Sequence, residues 1–238
     1  ARERPADLPA DVVFTADVDE FFRADWQLGV EAAGQPVVRA HGPRCLDMGR
    51  DLLVTSVGAF TSDALFAQMR GLAQERRARL LLASGALPAV DWLHAAAGVA
   101  CARVCVRQIK PPVAWAGARY DPETGQLLPD SHEFGALTEA TVIFRGTARE
   151  AAAMYPKNAN VSAMLALATN GLDDTEVELV ADPSGRMATE IAYEGDAGAL
   201  SVQVEGRPSP GNPRTSAIVP LSVLRAIRSA CAPTVIGA

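Results

Sequence analysis

The stretch "LGVEAAGQPVVRAHGPRCLDMGRDLLVTSVGAF", residues 28–60, decides how this chain folds. Leu28–Ala32 is a short apolar run that stops at Ala33-Gly34. A segment with helical spacing follows over Val37–Met48, and Asp51–Val57 is a second apolar run, stopping at Gly58. Continuous apolar strands alternating with helices form a parallel sheet covered on both faces. The pattern continues downstream: a helix from about Thr61 to Gln74, a strand over Leu80–Ser84 ending at Gly85-Ala86, a short helix over Ala89–Ala97, and a longer strand over Val99–Ile109. Upstream, Val12–Thr15 reads as one more strand. Three strands thus end in small-residue turns, "EAAG", "TSVGA" and "ASGA". In an open α/β sheet the ligand crevice lies beyond the carboxyl ends of the strands, and Gly or Ala there lets backbone amides approach a ligand. Three such turns in succession point to a nucleotide or dinucleotide site.

The pattern changes at Lys110-Pro111-Pro112. A strand over Thr141–Phe144 leads into "TAREAAAMYPKNANVSAMLALATNG", where Pro156 must kink or restart the helix because it lacks an N–H and clashes with the preceding turn. Alternating strands follow over Glu176–Ala181, Ala188–Glu194 and Ala199–Glu205. After them come the loop 207–216 and an amphipathic helix over Pro220–Cys231. Sequential alternating strands suggest a mixed or antiparallel sheet, hence an α+β second domain. The segment Gly117–Thr138 is the one expected to be most mobile.

At 238 residues, 49% apolar and 21% charged, the chain can bury a sizeable core as one large or two modest domains. A net charge of −6 offers no electrostatic footprint for nucleic acid or an anionic membrane. The longest apolar runs are too short or too interrupted to span a bilayer. Cys45, Cys101, Cys105 and Cys231 lack metal or redox spacing and read as buried free thiols of a cytoplasmic protein. Three histidines (His41, His94, His132) give no basis for a His-based metal site, and no metal is expected. Two lysines stand among twenty-two cationic side chains, so Lys110 and Lys157 are candidates for a role that needs a compact ammonium.

The segments "VEAAGQPVVRAHG", "LLVTSVGAF", "SGALPAVDWLHAA", "KPPVAWAG", "GTAREAAAMYPKNANVSAMLALA", "VELVADP" and "RPSPGNPRTSA" resemble, in order and spacing, the L-aspartate dehydrogenase family. The resemblance runs from about Val12 almost to the end. It implies an α/β fold: a Rossmann-type parallel-sheet domain over residues 1–110, with the helix 220–231 packing back on it, and an α+β substrate and dimerisation domain over 111–219. It also implies NAD(P)-dependent oxidative deamination of L-aspartate to oxaloacetate and ammonia via iminoaspartate, or the reverse, in a homodimer acting on a small dicarboxylate. Alternatives are a same-fold oxidoreductase acting on another imine or keto diacid, and a non-catalytic dinucleotide-binding protein.

Carried over by the resemblance, Ala86 and Asn160 contact the NAD or NADP. Gly34, Ser56, Val57, Gly58, Ala59 and Gly85 are expected to line the same crevice. Lys110 and Lys157 both fall inside family motifs, and either is a candidate to hold a substrate carboxylate. Asn158, Asn212, Arg214, Thr215 and Ser216 are expected on the substrate side. Two departures stand out. No G-x-G-x-x-G phosphate cradle occurs, which implies an N-terminally incomplete first domain: either the sequence as given omits an upstream strand and turn, the expectation adopted, or the cradle has been lost. The family's proton-transferring His aligns with Thr189, whose hydroxyl does not exchange a proton near pH 7 as imidazole does. The neighbouring Glu190 alternates to the opposite face of its strand.

Overall fold

The computed structural model describes residues 3–210 and 212–236, and of residues 102 and 212–214 only the backbone. The first helix, α1 (Val18–Arg23), starts where the Asp17 carboxylate accepts from the N–H groups of Asp19 and Glu20. Three parallel strands follow, β1 (Leu28–Glu31), β2 (Asp51–Val54) and β3 (Leu80–Leu82), paired in the order β1-β2-β3. They are connected by α2 (Gln35–Asp47) and α3 (Asp63–Arg76), and α4 (Val90–Ala96) follows β3. Val54 and Leu53 at the centre of this sheet are essentially inaccessible to solvent, as the unbroken apolar runs require.

The second sheet holds β4 (Cys101–Lys110), β5 (Thr141–Thr147), β6 (Thr175–Ala181), β7 (Ala188–Gly195) and β8 (Gly198–Glu205) in the order β5-β6-β4-β7-β8. Only the β4–β6 pair is parallel. Between β5 and β6 lie α5 (Ala148–Met154) and α6 (Asn160–Ala168). A reciprocal cap starts α5: Thr147 Oγ1 accepts from Glu150 N–H, and the Glu150 carboxylate accepts from Thr147 N–H. Pro156 ends this helix as its sequence demands; a 3-10 turn over Pro156–Asn158 intervenes before α6 begins. A short pair, β9 (Pro208–Ser209) and β10 (Asn212–Ser216), precedes α7 (Ile218–Cys231). The hydroxyls of Ser222 on α7 and Ser84, just past β3, lie 3.0 Å apart.

Three sequence expectations are corrected. Val12–Thr15 forms no strand: Val13 is 82% exposed, and no strand among the described residues pairs with this segment. Cys101–Lys110, assigned to the first unit by the alternation, is the central strand of the second sheet. Periodicity reports that a strand is buried, not which strands flank it, and both partners of β4 come from later in the chain. In sheet membership the division therefore falls before Cys101, not at residue 110. Of the four free thiols only Cys45 is buried; Cys231 is exposed near the end of α7. Among the described residues no helix is long and apolar enough to cross a membrane.

Candidate active site

The carboxyl ends of β2 and β3 face the carboxyl end of β4 across a cleft, and chain composition explains how each side is held. On the first sheet, Glu31 ends β1 as a buried carboxylate. It accepts from the N–H groups of Ala33 and Gly34 (2.7 Å each), from Ser56 N–H at 3.0 Å and from Ser56 Oγ at 2.9 Å. One carboxylate thus ties the turns after β1 and β2 together. Past Ser56 the chain curls into a 3-10 turn over Val57–Thr61, which packs against α6. Gly58 N–H donates to Asn160 Oδ1 at 2.9 Å, and Gln35 Nε2 donates to the Pro156 carbonyl at 2.9 Å. A Cβ at Gly58 would lie 2.5 Å from Gln35 Nε2 and 2.9 Å from Asn160 Oδ1, so any larger residue displaces one of these two side chains where the units meet.

On the second sheet, Val104, Val106, Gln108 and Lys110 alternate onto the face of β4 that α5 and α6 cover. Thr189, Ile191 and Tyr193 of β7 stand opposite Gln108, Val106 and Val104. The outward face carries the charges: Arg107 pairs with Glu178 and Glu190, and Arg186 with Glu190 and Glu205. Glu190 therefore points away from the cleft, as the alternation predicted.

Lys110 ends β4 because two prolines follow it. Its ammonium donates to Asn158 Oδ1 at 2.9 Å and sits 5.1 Å from the centre of the Trp115 ring. Trp115 is fully buried and is fixed by its own N–H to the Val180 carbonyl (2.9 Å). Withdrawal from water pulls the Lys110 ammonium down to a pKa of about 8, since a low-dielectric site disfavours the charged form. Lys157 differs: it is exposed on the turn after Pro156, with Nζ 5.3 Å from the Tyr120 ring centre. The sequence leaves the two lysines equivalent; burial separates them.

Of the expected residues, Val57, Gly85, Ala86, Lys110, Lys157, Asn158, Asn160, Thr189, Thr215 and Ser216 come together on this cleft. Gly34, Ser56, Gly58 and Ala59 do not line it. Ser56 is buried with its N–H and hydroxyl on Glu31, Gly58 and Ala59 are buried within the 3-10 turn, and Gly34 caps α2 with its N–H on Glu31. The side chains of Asn212 and Arg214 lie outside the described residues. His94 and His132 stay away from the cleft, His94 against the Ala168 carbonyl and His132 stacked on Phe134. Asp182, the acid of the "ADP" motif, accepts from Ser184 N–H to close the turn before β7. The residue missed by sequence reading is Gln108. Its signal is a polar side chain at an inward position of β4, next in alternation to Lys110.

The donor set fits the nicotinamide end of a dinucleotide. The turn Ser84-Gly85-Ala86 borders the cleft, and at Gly85 (φ +60°) no atom lies within 4 Å of where a Cβ would stand. Asn160 also lines the cleft; its Oδ1 is held by Gly58, so its amide N–H groups are what it offers a ligand carbonyl.

Comparison with known proteins follows the same division. The family described as "Aspartate dehydrogenase, C-terminal" matches residues 91–230, and "Homoserine dehydrogenase, NAD binding domain" matches residues 1–83. L-Aspartate dehydrogenase of Brucella anthropi is 41% identical over 230 residues, covering 96% of this chain and 83% of the relative. That of Ruegeria pomeroyi is 44% identical over 200 residues, covering 84% and 70%. The enzyme of Methanosarcina barkeri is 35% identical over 209 residues, covering 87% and 75%. The crystal structure of aspartate dehydrogenase from Thermotoga maritima superposes with a TM-score of 0.71 at 21% identity, covering 98% of this chain and 86% of the other, which establishes the shared fold.

Proposed function

The chain belongs to the aspartate dehydrogenase family, and on that premise we propose that it interconverts L-aspartate with oxaloacetate and ammonia by way of iminoaspartate. It is an oxidoreductase acting on a CH–NH2 donor, with NAD or NADP as cofactor. When bound, the nicotinamide supplies the two-electron acceptor for the hydride on the substrate Cα.

The chain's own residues carry the rest. Before the hydride can leave, the substrate ammonium must lose a proton, and water must later add to the imine carbon. Lys110 is the base: with a pKa of about 8, it is half neutral at that pH and can accept and return a proton at Nζ. Asn158 Oδ1 holds Nζ in place between transfers. Lys157, Thr215 and Ser216 bind the two substrate carboxylates. Thr189 offers a hydroxyl hydrogen bond where the resemblance places an imidazole. Ala86 and Asn160 orient the nicotinamide, with Val57 and Gly85 shaping its slot. The same reading includes a homodimer.

The observation that carries this reading is the placement of Lys110, whose ammonium is held by Asn158 Oδ1 on the wall of the cleft that Gly85, Ala86 and Asn160 also line. It is tested by following absorbance at 340 nm with L-aspartate and NAD⁺ or NADP⁺, and in reverse with oxaloacetate, ammonium and the reduced cofactors. Aspartate-dependent reduction of one dinucleotide is expected. No turnover in either direction with either cofactor, alongside saturable NADH binding, contradicts it and favours a binding role. Thr189 supports a second reading, an enzyme of this fold working on another keto diacid. A panel of diacids in the reductive assay separates the two.

A further inference from the structure

Gln108 is buried to 1% exposure, yet neither its Nε2 nor its Oε1 has a hydrogen-bond partner. Among the described residues it is the one buried side chain whose polar atoms are all left unpaired. A carboxamide in this position costs the fold stability, because both of its polar atoms give up water and gain nothing in return. An apolar residue would fit the strand pattern set by Val104 and Val106. Buried as it is, Gln108 is one of the residues that form the cleft wall.

Its neighbours say what it faces. Along β4 it is one alternation step from Lys110, and across the ladder it stands directly opposite Thr189. All three belong to the second-sheet wall of the cleft, whereas Gly85 and Ala86, on the cofactor side, come from the first sheet. A neutral amide cannot relay a proton, but it presents one acceptor and two donors side by side. That combination suits a group carrying N–H donors beside an oxygen acceptor, which is the head of an α-amino acid.

We propose that Gln108 is a substrate-contacting, specificity-determining residue: its Oε1 accepts from the substrate α-amino nitrogen and its Nε2 donates to the substrate carboxylate, beside Lys110. The assignment rests on the aspartate reading above. It makes Gln108 and Lys110 a divided pair, in which Gln108 fixes the amino-acid head and Lys110 handles its proton.

The test compares the full chain with Gln108→Leu and Gln108→Glu. Steady-state kinetics, NADH binding by fluorescence, and melting temperature with and without L-aspartate, oxaloacetate or L-glutamate are measured on each. Gln108→Leu is expected to lower kcat/KM for L-aspartate roughly 10–100-fold, mainly through KM, with the NADH dissociation constant within about twofold. Its ligand-free melting temperature is expected to hold or rise, and its melting shift with L-aspartate to vanish. Gln108→Glu keeps an acceptor but loses the donor, so it is expected to retain less than a tenth of kcat/KM. If the parent chain responds to aspartate and Gln108→Leu responds equally, the proposal fails while the aspartate reading stands. A lower ligand-free melting temperature with unchanged kinetics shows a structural role and also overturns the proposal. If the parent chain gives neither turnover nor a melting shift with any of these diacids, the aspartate reading fails and this proposal with it.

Discussion

The two faces of β4 obey opposite rules. On the outward face Arg103 pairs with Glu176 at 2.7 Å, and Arg107 joins Glu178 and Glu190, so each of these cations has a carboxylate at hand although water is available. On the inward face, where water is scarce, Gln108 has no partner and Lys110 has one neutral oxygen and a ring. Folding alone would favour the reverse, since unpaired polar groups cost most where they are buried. The contrast teaches that the inward groups are placed for something the fold does not itself supply.

The sharpest way to break the comparison is to remove Lys110. Lys110→Met is expected to lower kcat for aspartate oxidation by ~10²–10⁴, the usual worth of a general base. Its effect on stability has the opposite sign. The Lys110 pKa is about 8 when folded, against an ordinary 10.5, so burial opposes the ammonium most below pH 8, and that penalty fades as pH rises toward 10.5. Thermal melts at pH 7 and pH 10 therefore check that Lys110→Met gains more at the lower pH. Next in size is Gly58→Ala. The added methyl must displace Gln35 or Asn160, and weakening of NADH binding by about tenfold or more is expected in a fluorescence titration, because slight misplacement of a positioning group is costly.

Asn158→Ala sharpens the account rather than breaking it. Loss of the oxygen that accepts from Lys110 Nζ removes an interaction favouring the charged form, so the inflection of the rate profile moves about 1–2 pH units lower. Smallest is the outward face. Arg103→Ala breaks a pair whose side chains are 60% and 56% exposed, and it is expected to change stability by less than ~1 kcal/mol in denaturant melts and to leave kcat/KM within twofold.

Much of this was legible in the sequence, and the limits have physical causes. The β1-α2-β2-α3-β3 unit follows from local apolar runs and small-residue stops, and the break at Pro156 follows from proline geometry. Membership of β4 in the second sheet did not follow, because its partners on β6 and β7 lie 71 or more residues downstream in register (Ile109 stands beside Val180 and Ala188) and local pattern carries no such information. The small-residue turn after β2 reads in the sequence as cleft lining from Ser56 to Ala59, yet of those four residues only Val57 meets the cleft, and Ser56, Gly58 and Ala59 are buried away from it. Lys110 and Lys157 are indistinguishable in the sequence; the fold leaves one half-buried beside Asn158 and Trp115 and the other exposed. Gln108 was visible as a polar interruption of an inward stripe, but its lack of any partner is a property of the packed structure alone.

The central claim is that Lys110 is the base of the cleft, and the pH dependence of kcat/KM for L-aspartate oxidation tests it most directly. Oxidation needs the neutral amine, so the rate is predicted to rise with pH through an inflection near 8 and to lose that inflection in Lys110→Met. A profile flat from pH 7 to 9, or one whose inflection near 8 survives in Lys110→Met, would contradict it.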